Sequence, residues 1–195
     1  MCGIIGYTGF CDGVDKAISG LKMLEYRGYD STGIAFSRDN EIGIIKTKGR
    51  VEALIKMLDD TVKSHTVIGH TRWATHGAPS SVNAHPHRVG SVTVVHNGII
   101  ENYREYYENL RDKDYTFVSD TDTEVAAAII NEQMKIVKTP ERALWAAISK
   151  MKGKYAFAVL FDDYPDEIYA VRYGSPLVIA QGADGFFISS DMNAI

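Results

Sequence analysis

Apolar residues recur with two different periods along this chain. The run Gly3-Ile4-Ile5-Gly6-Tyr7 predicts a buried strand. Val14, Ala17, Ile18, Leu21 and Leu24 then share one face at helical spacing. Asp12 is placed to cap that helix, which runs to about Arg27, with Gly28 to end it. Residues 31–36 and 42–47 predict two strands around the turn Arg38-Asp39-Asn40, and residues 51–58 a short helix. The β-branched runs 66–71 and 92–96 predict two more strands. Residues 73–90, rich in His, Pro, Gly, Ser and Asn, predict a long loop of the kind that often carries function.

Helical spacing returns at 101–110 and 121–136, and Thr139-Pro140 supplies a cap and an N1 proline for a helix to Met151. Four strands follow, at 155–161, 168–173, 177–180 and 186–189. Strands therefore cluster at both ends with helices between. That segregation predicts an α+β fold with mainly antiparallel sheets. At 195 residues the chain suits one domain, with no internal repeat. Its last residues, Ser190-Asp191-Met192-Asn193-Ala194-Ile195, do not read as a natural finish, and a longer parent chain is expected.

Composition narrows the classes. Hydrophobic residues make up 45% and charged residues 24%, as in soluble globular proteins. No apolar run reaches membrane-spanning length, and the first residues carry no basic segment of a secretory signal. The net charge of -4 is spread without blocks, which argues against nucleic acid or an anionic membrane as partner. Two cysteines, Cys2 and Cys11, are too few for a disulfide framework, so a reducing, cytoplasmic setting is expected. Cys11 reads as a small loop or core residue.

Cys2 is the sharpest chemical feature. Loss of Met1 would place a free α-amine, reference pKa about 7.7–8.0, beside a thiol of about 8.5. One residue would then hold nucleophile and general base. Met-Cys alone is weak evidence, since any residue can follow an initiator methionine. Gly3 and Gly6 strengthen it, because they allow close backbone approach in a strand that would hold the terminus rigidly.

Further groups follow predicted strands. Asn97-Gly98 offers a side-chain amide and a backbone N–H, two donors for an oxyanion. The competing reading is a hairpin turn, which is weakened because Ile99-Ile100-Glu101-Asn102-Tyr103 reads as a helix start. Arg72 presents a fork suited to a carboxylate, with Trp73 and His76 placed to cover a ligand; a surface ion pair and a core tryptophan are the bland alternatives. Ser119-Asp120-Thr121-Asp122 opens a helix, where acidic residues complement the dipole, and Asp122 could also face an ammonium group. Arg27-Gly28-Tyr29-Asp30-Ser31 reads as a helix-to-strand connection whose composition carries no chemistry. The six histidines, including His85 and His87, lack the spacing of a metal site and read as loop and strand residues.

Taken together, Cys2-Gly3-Ile4-Ile5-Gly6, Arg72-Trp73-Ala74-Thr75-His76-Gly77, Asn83-Ala84-His85-Pro86, His96-Asn97-Gly98 and Ser119-Asp120-Thr121-Asp122 resemble the glutaminase domain of class II glutamine amidotransferases. Five motifs in order span the whole chain. Within that class, residues 24–31 and His70-Thr71-Arg72-Trp73 are similar to the glutamine–fructose-6-phosphate aminotransferase branch. The amidophosphoribosyltransferase and asparagine synthetase branches match less well around Arg27. Asp120 and Thr32 depart from that branch, which commonly has Glu and Ala, with no consequence expected.

The resemblance implies an N-terminal-nucleophile hydrolase fold, a four-layer αββα sandwich with two antiparallel sheets. It implies Cys2 as nucleophile, and Asn97 with Gly98 as the oxyanion hole. Arg72 would bind the glutamine carboxylate and Asp122 its amine, with Trp73, Thr75, His76 and Gly98 lining the pocket. The loop from 72 to about 80 would close over glutamine. Ammonia would pass to sugar-isomerase domains of the same full-length chain, a homo-oligomer, to make glucosamine 6-phosphate. No metal or organic cofactor is implied. Two other classes stay open on the residues alone: an N-terminal-nucleophile amidohydrolase for a different amide, and a binding module that keeps the fold without catalysis. A metal-binding module is more distant.

Overall fold

The structure is a computed structural model and describes residues 1–39, 41–74 and 77–195. Strands β1 (Gly3–Gly9), β2 (Ser31–Arg38), β3 (Glu41–Lys48) and β4 (Thr66–Arg72) surround helices α1 (Gly13–Leu24) and α2 (Val51–Ile55) in sequence. Next come β5 (His87–Val89), β6 (Val92–Ile100) and helices α3 (Tyr103–Arg111), α4 (Asp122–Val137) and α5 (Pro140–Ile148). Strands β7 (Gly153–Phe161), β8 (Tyr169–Tyr173), β9 (Val178–Gln181) and β10 (Gly185–Ser189) follow, then a 3-10 turn, Met192–Ala194.

One sheet has six strands in the order β3-β2-β4-β1-β10-β9. The other has four, β5-β6-β7-β8, and every strand pair in both is antiparallel. Period-two alternation explains the layering. Ile5, Ile34, Phe36 and Val67 face α1 and α2, with Leu21, Leu24 and Leu54 against them. Their chain neighbours Ile4, Ala35 and Ile68 point the other way and meet Val95, Ala156, Ala158 and Leu160 of the second sheet. On that sheet's outer face Val92, Val94, Phe157 and Val159 pack on Val125, Ile129 and Ile130 of α4. Three apolar interfaces therefore separate four layers, helix, sheet, sheet, helix, as the resemblance implies.

Several elements differ from the sequence pattern. Residues 92–96 extend into a strand that continues through Asn97 and Gly98 to Ile100, so the Asn-Gly pair lies inside a strand and not at its end. The helix expected from Glu101 starts at Tyr103. The long loop contains β5, a three-residue strand paired on β6. Helix α2 stops at Ile55, short of residue 58. Gly28 does not end α1, which is capped at Glu25. A Cβ on Gly28 would lie 2.6 Å from the Arg72 carbonyl carbon, so glycine is needed there for close backbone approach. Thr121 caps α4 by accepting from Glu124 N, but Thr139 makes no side-chain cap on α5.

Candidate active site

The site lies at one end of the inter-sheet space. The register Gly3↔Thr71 and Ser31↔Arg72 brings Cys2 level with Arg72 on the face that looks toward the second sheet. Across the gap, β6 delivers Asn97 and Gly98. Asn97 Nδ2 donates to the Cys2 carbonyl at 3.0 Å, and Arg27 Nε donates to the same oxygen at 3.0 Å. Two donors on one carbonyl fix the backbone of the residue that carries the thiol. Trp73 N lies 3.3 Å from Cys2 Sγ and donates to it. Burial pushes the Cys2 thiol up, while the Trp73 N–H and the Arg72 guanidinium oppose that rise.

Arg27 was not legible as a site residue. It is buried, pairs with Asp191 at 3.2 Å, and shares that carboxylate with the Tyr26 hydroxyl. Asp191 follows Ser190, whose Oγ accepts from Ile4 N at 2.9 Å. The last strand and the turn after it thus brace the start of β1. A sequence signal exists only in hindsight: a cationic residue three residues past the apolar stripe of α1, next to a glycine.

Two cavities meet at Cys2. One is bounded by Cys2, Arg72, Trp73, Gly98 and Asp122, with His85, His96, Thr121 and Thr123 completing its wall. The other lies between Met1, Arg27, Trp73, Asn97, Ile99 and Pro176. Cys2, Trp73 and Gly98 border both. The first holds a guanidinium at one point and a carboxylate at another. Asp122 Oδ2 accepts from Ile100 N at 2.8 Å, which fixes the carboxylate at the α4 N-terminus. Arg72 Nη2 donates to Gly77 O at 3.2 Å. The structure therefore brings Cys2, Arg72, Trp73, Asn97, Gly98 and Asp122 together; Thr75 and His76 lie outside the described residues.

The wall behind the cavity is a cluster of buried histidines. His70 and His85 stack with ring centroids 4.1 Å apart, and His85 meets His87 edge-on at 4.9 Å. Thr123 Oγ1 lies 3.0 Å from His96 Nδ1 and 3.3 Å from His85 Nε2, and Thr121 Oγ1 lies 3.1 Å from His87 Nε2. Burial depresses the pKa of all four rings, and at His96 the Asp122 carboxylate opposes that fall. They are neutral hydrogen-bonding partners. Among the described residues, no group of three His, Cys, Asp or Glu is arranged to hold a metal ion.

The loop before this wall is tied down from two sides. Asn83 accepts from Asp120 N at 3.0 Å and donates to Ala78 O at 3.0 Å. Lys46 Nζ donates to the carbonyls of Val82, Ala84 and Pro86 at 3.2, 2.7 and 2.9 Å. Opposite Lys46 in register, Gly33 leaves room for the His85 carbonyl. Lys46→Met should cost about 2 kcal/mol, because three carbonyls lose a charged donor together. Urea unfolding checks this; an unchanged midpoint would show that the loop holds without the lysine.

The sandwich of two helix-flanked antiparallel sheets, with Cys2 at the head of an inter-sheet strand, is the fold of the N-terminal-nucleophile hydrolase class. Residues 70–195 match the glutamine amidotransferase domain, and the chain belongs to that family. It is 46% identical over 197 residues to a glutamine–fructose-6-phosphate aminotransferase (isomerizing) of Pyrococcus horikoshii, a match covering 100% of this chain and 33% of the relative. With the enzyme of that name from Bacteroides thetaiotaomicron it shares 48% identity over 201 residues, 100% of this chain and 33% of the relative. The structure superposes on the glutamine phosphoribosylpyrophosphate amidotransferase of B. subtilis with a TM-score of 0.86 at 25% identity, covering 99% of this chain and 42% of that one. The chain thus spans about a third of the length of the curated relatives it matches. No helix among the described residues is long and apolar enough to cross a membrane.

Proposed function

We propose that this domain hydrolyses the side-chain amide of glutamine, with Cys2 as nucleophile once Met1 is removed. The observation that carries the reading is the placement of Cys2 at the junction of two cavities, one of which holds Arg72 and Asp122 on its walls. An amino acid presents a carboxylate and an ammonium at one end, and these two side chains complement both. The amide end then lies toward Cys2.

The thiolate attacks the amide carbon, and the carbonyl becomes an oxyanion. Asn97 Nδ2 has two N–H groups; one is engaged by the Cys2 carbonyl, leaving the second for the oxyanion together with Gly98 N–H. The Cys2 α-amine takes the thiol proton and returns it to the leaving nitrogen, releasing ammonia and a thioester. Water then releases glutamate. Trp73 covers the ligand. The less polar cavity past Asn97 and Ile99 gives ammonia a way out on the other side of the nucleophile.

In the longer protein that the relatives' length suggests, ammonia passes to sugar-isomerase domains of the same chain, which convert fructose 6-phosphate to glucosamine 6-phosphate. That protein acts as a homo-oligomer in the cytoplasm, where the free thiols of Cys2 and Cys11 stay reduced.

The test is glutamate release from glutamine by protein whose mass shows loss of Met1. No release by correctly processed, folded full-length protein, with or without fructose 6-phosphate, would overturn the reading. Arg72→Ala should raise KM for glutamine by ~10²-fold with a smaller change in kcat, since it removes a charged partner of the bound carboxylate. Arg72→Lys should rescue this only partly, because an ammonium lacks the planar fork. Steady-state kinetics read both; an unchanged KM in Arg72→Ala would assign the carboxylate elsewhere.

A further inference from the structure

We propose that His70 is a positioning residue for amide hydrolysis: from between the two sheets, its Nε2–H locks the carboxamide of Asn97 with the NH2 group turned toward Cys2.

His70 is completely buried on the inter-sheet face of β4, beside Ile68 of the same face. Packing alone would be satisfied there by another apolar side chain, and a buried polar ring is tolerated only where it is hydrogen-bonded. Its Nε2 lies 2.9 Å from His96 O and 3.0 Å from Asn97 Oδ1. A backbone carbonyl can only accept. His96 O therefore requires the proton on Nε2, whatever Asn97 does. With that proton in place, only one orientation of the Asn97 amide is compatible. Its Oδ1 must face His70 and its Nδ2 must face away, where it donates to the Cys2 carbonyl. Flipping the amide would set two N–H donors against each other in a buried space, at a cost of about tenfold to a hundredfold in the competent orientation.

The rest of the surroundings keep the ring in this one state. His70 Nδ1 has no hydrogen-bond partner among the described residues, so a second ring proton would be an unsatisfied buried donor. His85 stacks on the ring and the Arg72 guanidinium lies on the same strand face, so among the described residues no neighbouring charge favours imidazolium. Burial depresses its pKa to about 3, and the ring stays neutral across the working range. The imidazole acts as a fixed donor and not as a proton carrier.

This inference rests on the reading of Asn97 as an oxyanion donor, and a double-mutant cycle separates the two. In protein freed of Met1, kcat and KM for glutamate release are measured for His70→Leu, His70→Gln, Asn97→Ala and each His70 variant combined with Asn97→Ala. Asn97→Ala should lower kcat by ~10²-fold or more. His70→Leu should lower it by about tenfold to a hundredfold, with KM for glutamine within about threefold. Combined with Asn97→Ala, it should lower kcat no further than Asn97→Ala alone, within about threefold. His70→Gln keeps an N–H donor without a titrating ring and should recover most of the loss. Its cycle stays decisive if the leucine variant fails to fold. Losses that multiply in the combined variants, or a normal kcat in folded His70→Leu, would overturn the proposal. A normal kcat in Asn97→Ala would instead overturn the oxyanion reading on which it stands.

Discussion

Cys2→Ala, in protein freed of Met1, should release glutamate at least ~10⁴-fold more slowly than the parent while still binding glutamine. The binding groups proposed here, Arg72 and Asp122, belong to β4 and α4 and are held without the thiol, Arg72 by Gly77 O and Asp122 by Ile100 N. No second thiol is at hand to replace the nucleophile. The other cysteine, Cys11, is exposed, at the opposite end of β1. The thiol also depends on its own amine. Among the described residues its hydrogen-bond contacts are both to the Trp73 backbone, at 3.3 and 3.6 Å, and none is to a histidine. Burial raises its pKa, so at neutral pH it starts as a thiol and needs a base. Protein that keeps Met1, identified by mass, should therefore lose turnover as Cys2→Ala does although its thiol is intact. Turnover by Cys2→Ala would end the mechanism; turnover by Met1-bearing protein would assign the base to another group.

Much of this site was written in short motifs. Cys2, Arg72 and Asp122 lie at the strand and helix ends that their flanking residues suggested, whereas Asn97-Gly98 lies inside β6 and not past its end, and the layers follow from alternation in β1, β2, β4, β6 and β7. What the pattern lacked were partners distant in sequence. Arg27 reads as the tail of a helix until β10 and the residues after it place Asp191 beside it. His70 reads as one more strand histidine until the second sheet sets His96 O and Asn97 Oδ1 against its ring. Lys46 alternates like an exposed edge residue, yet it reaches inward to three carbonyls of a loop some 36 to 40 residues later. The early end assigned to β6 has a local cause. Asn-Gly is a strong turn signal, and only the pairing of Gly98 with Tyr155 shows that the strand passes through it.

Gly98→Ala should lose both stability and turnover, because one backbone conformation serves both. Gly98 sits at φ +130°, inside the nine-residue pairing of β6 with β7. L residues rarely adopt that conformation. A Cβ there would overlap the Lys154 carbonyl oxygen and lie 2.9 Å from Tyr155 Cα. Both are backbone atoms, so no side-chain rotation relieves the clash; β6 or β7 must shift. β7 is a poor candidate, since Ala156, Phe157, Ala158 and Val159 are buried between layers on both its faces. The displacement falls on β6, whose Asn97 and Gly98 are the proposed oxyanion donors. We expect a stability loss of about 2–4 kcal/mol and a fall in kcat of ~10²-fold or more, with less change in KM. Urea unfolding and steady-state kinetics on Met1-free protein read the two effects, with Ile136→Ala, an exposed residue of α4 away from the site, as the reference. A stable Gly98→Ala would show that the strand yields more easily than its packing implies. A destabilised variant with normal kcat would separate the conformation from the chemistry and leave Asn97 as the sole proposed oxyanion donor.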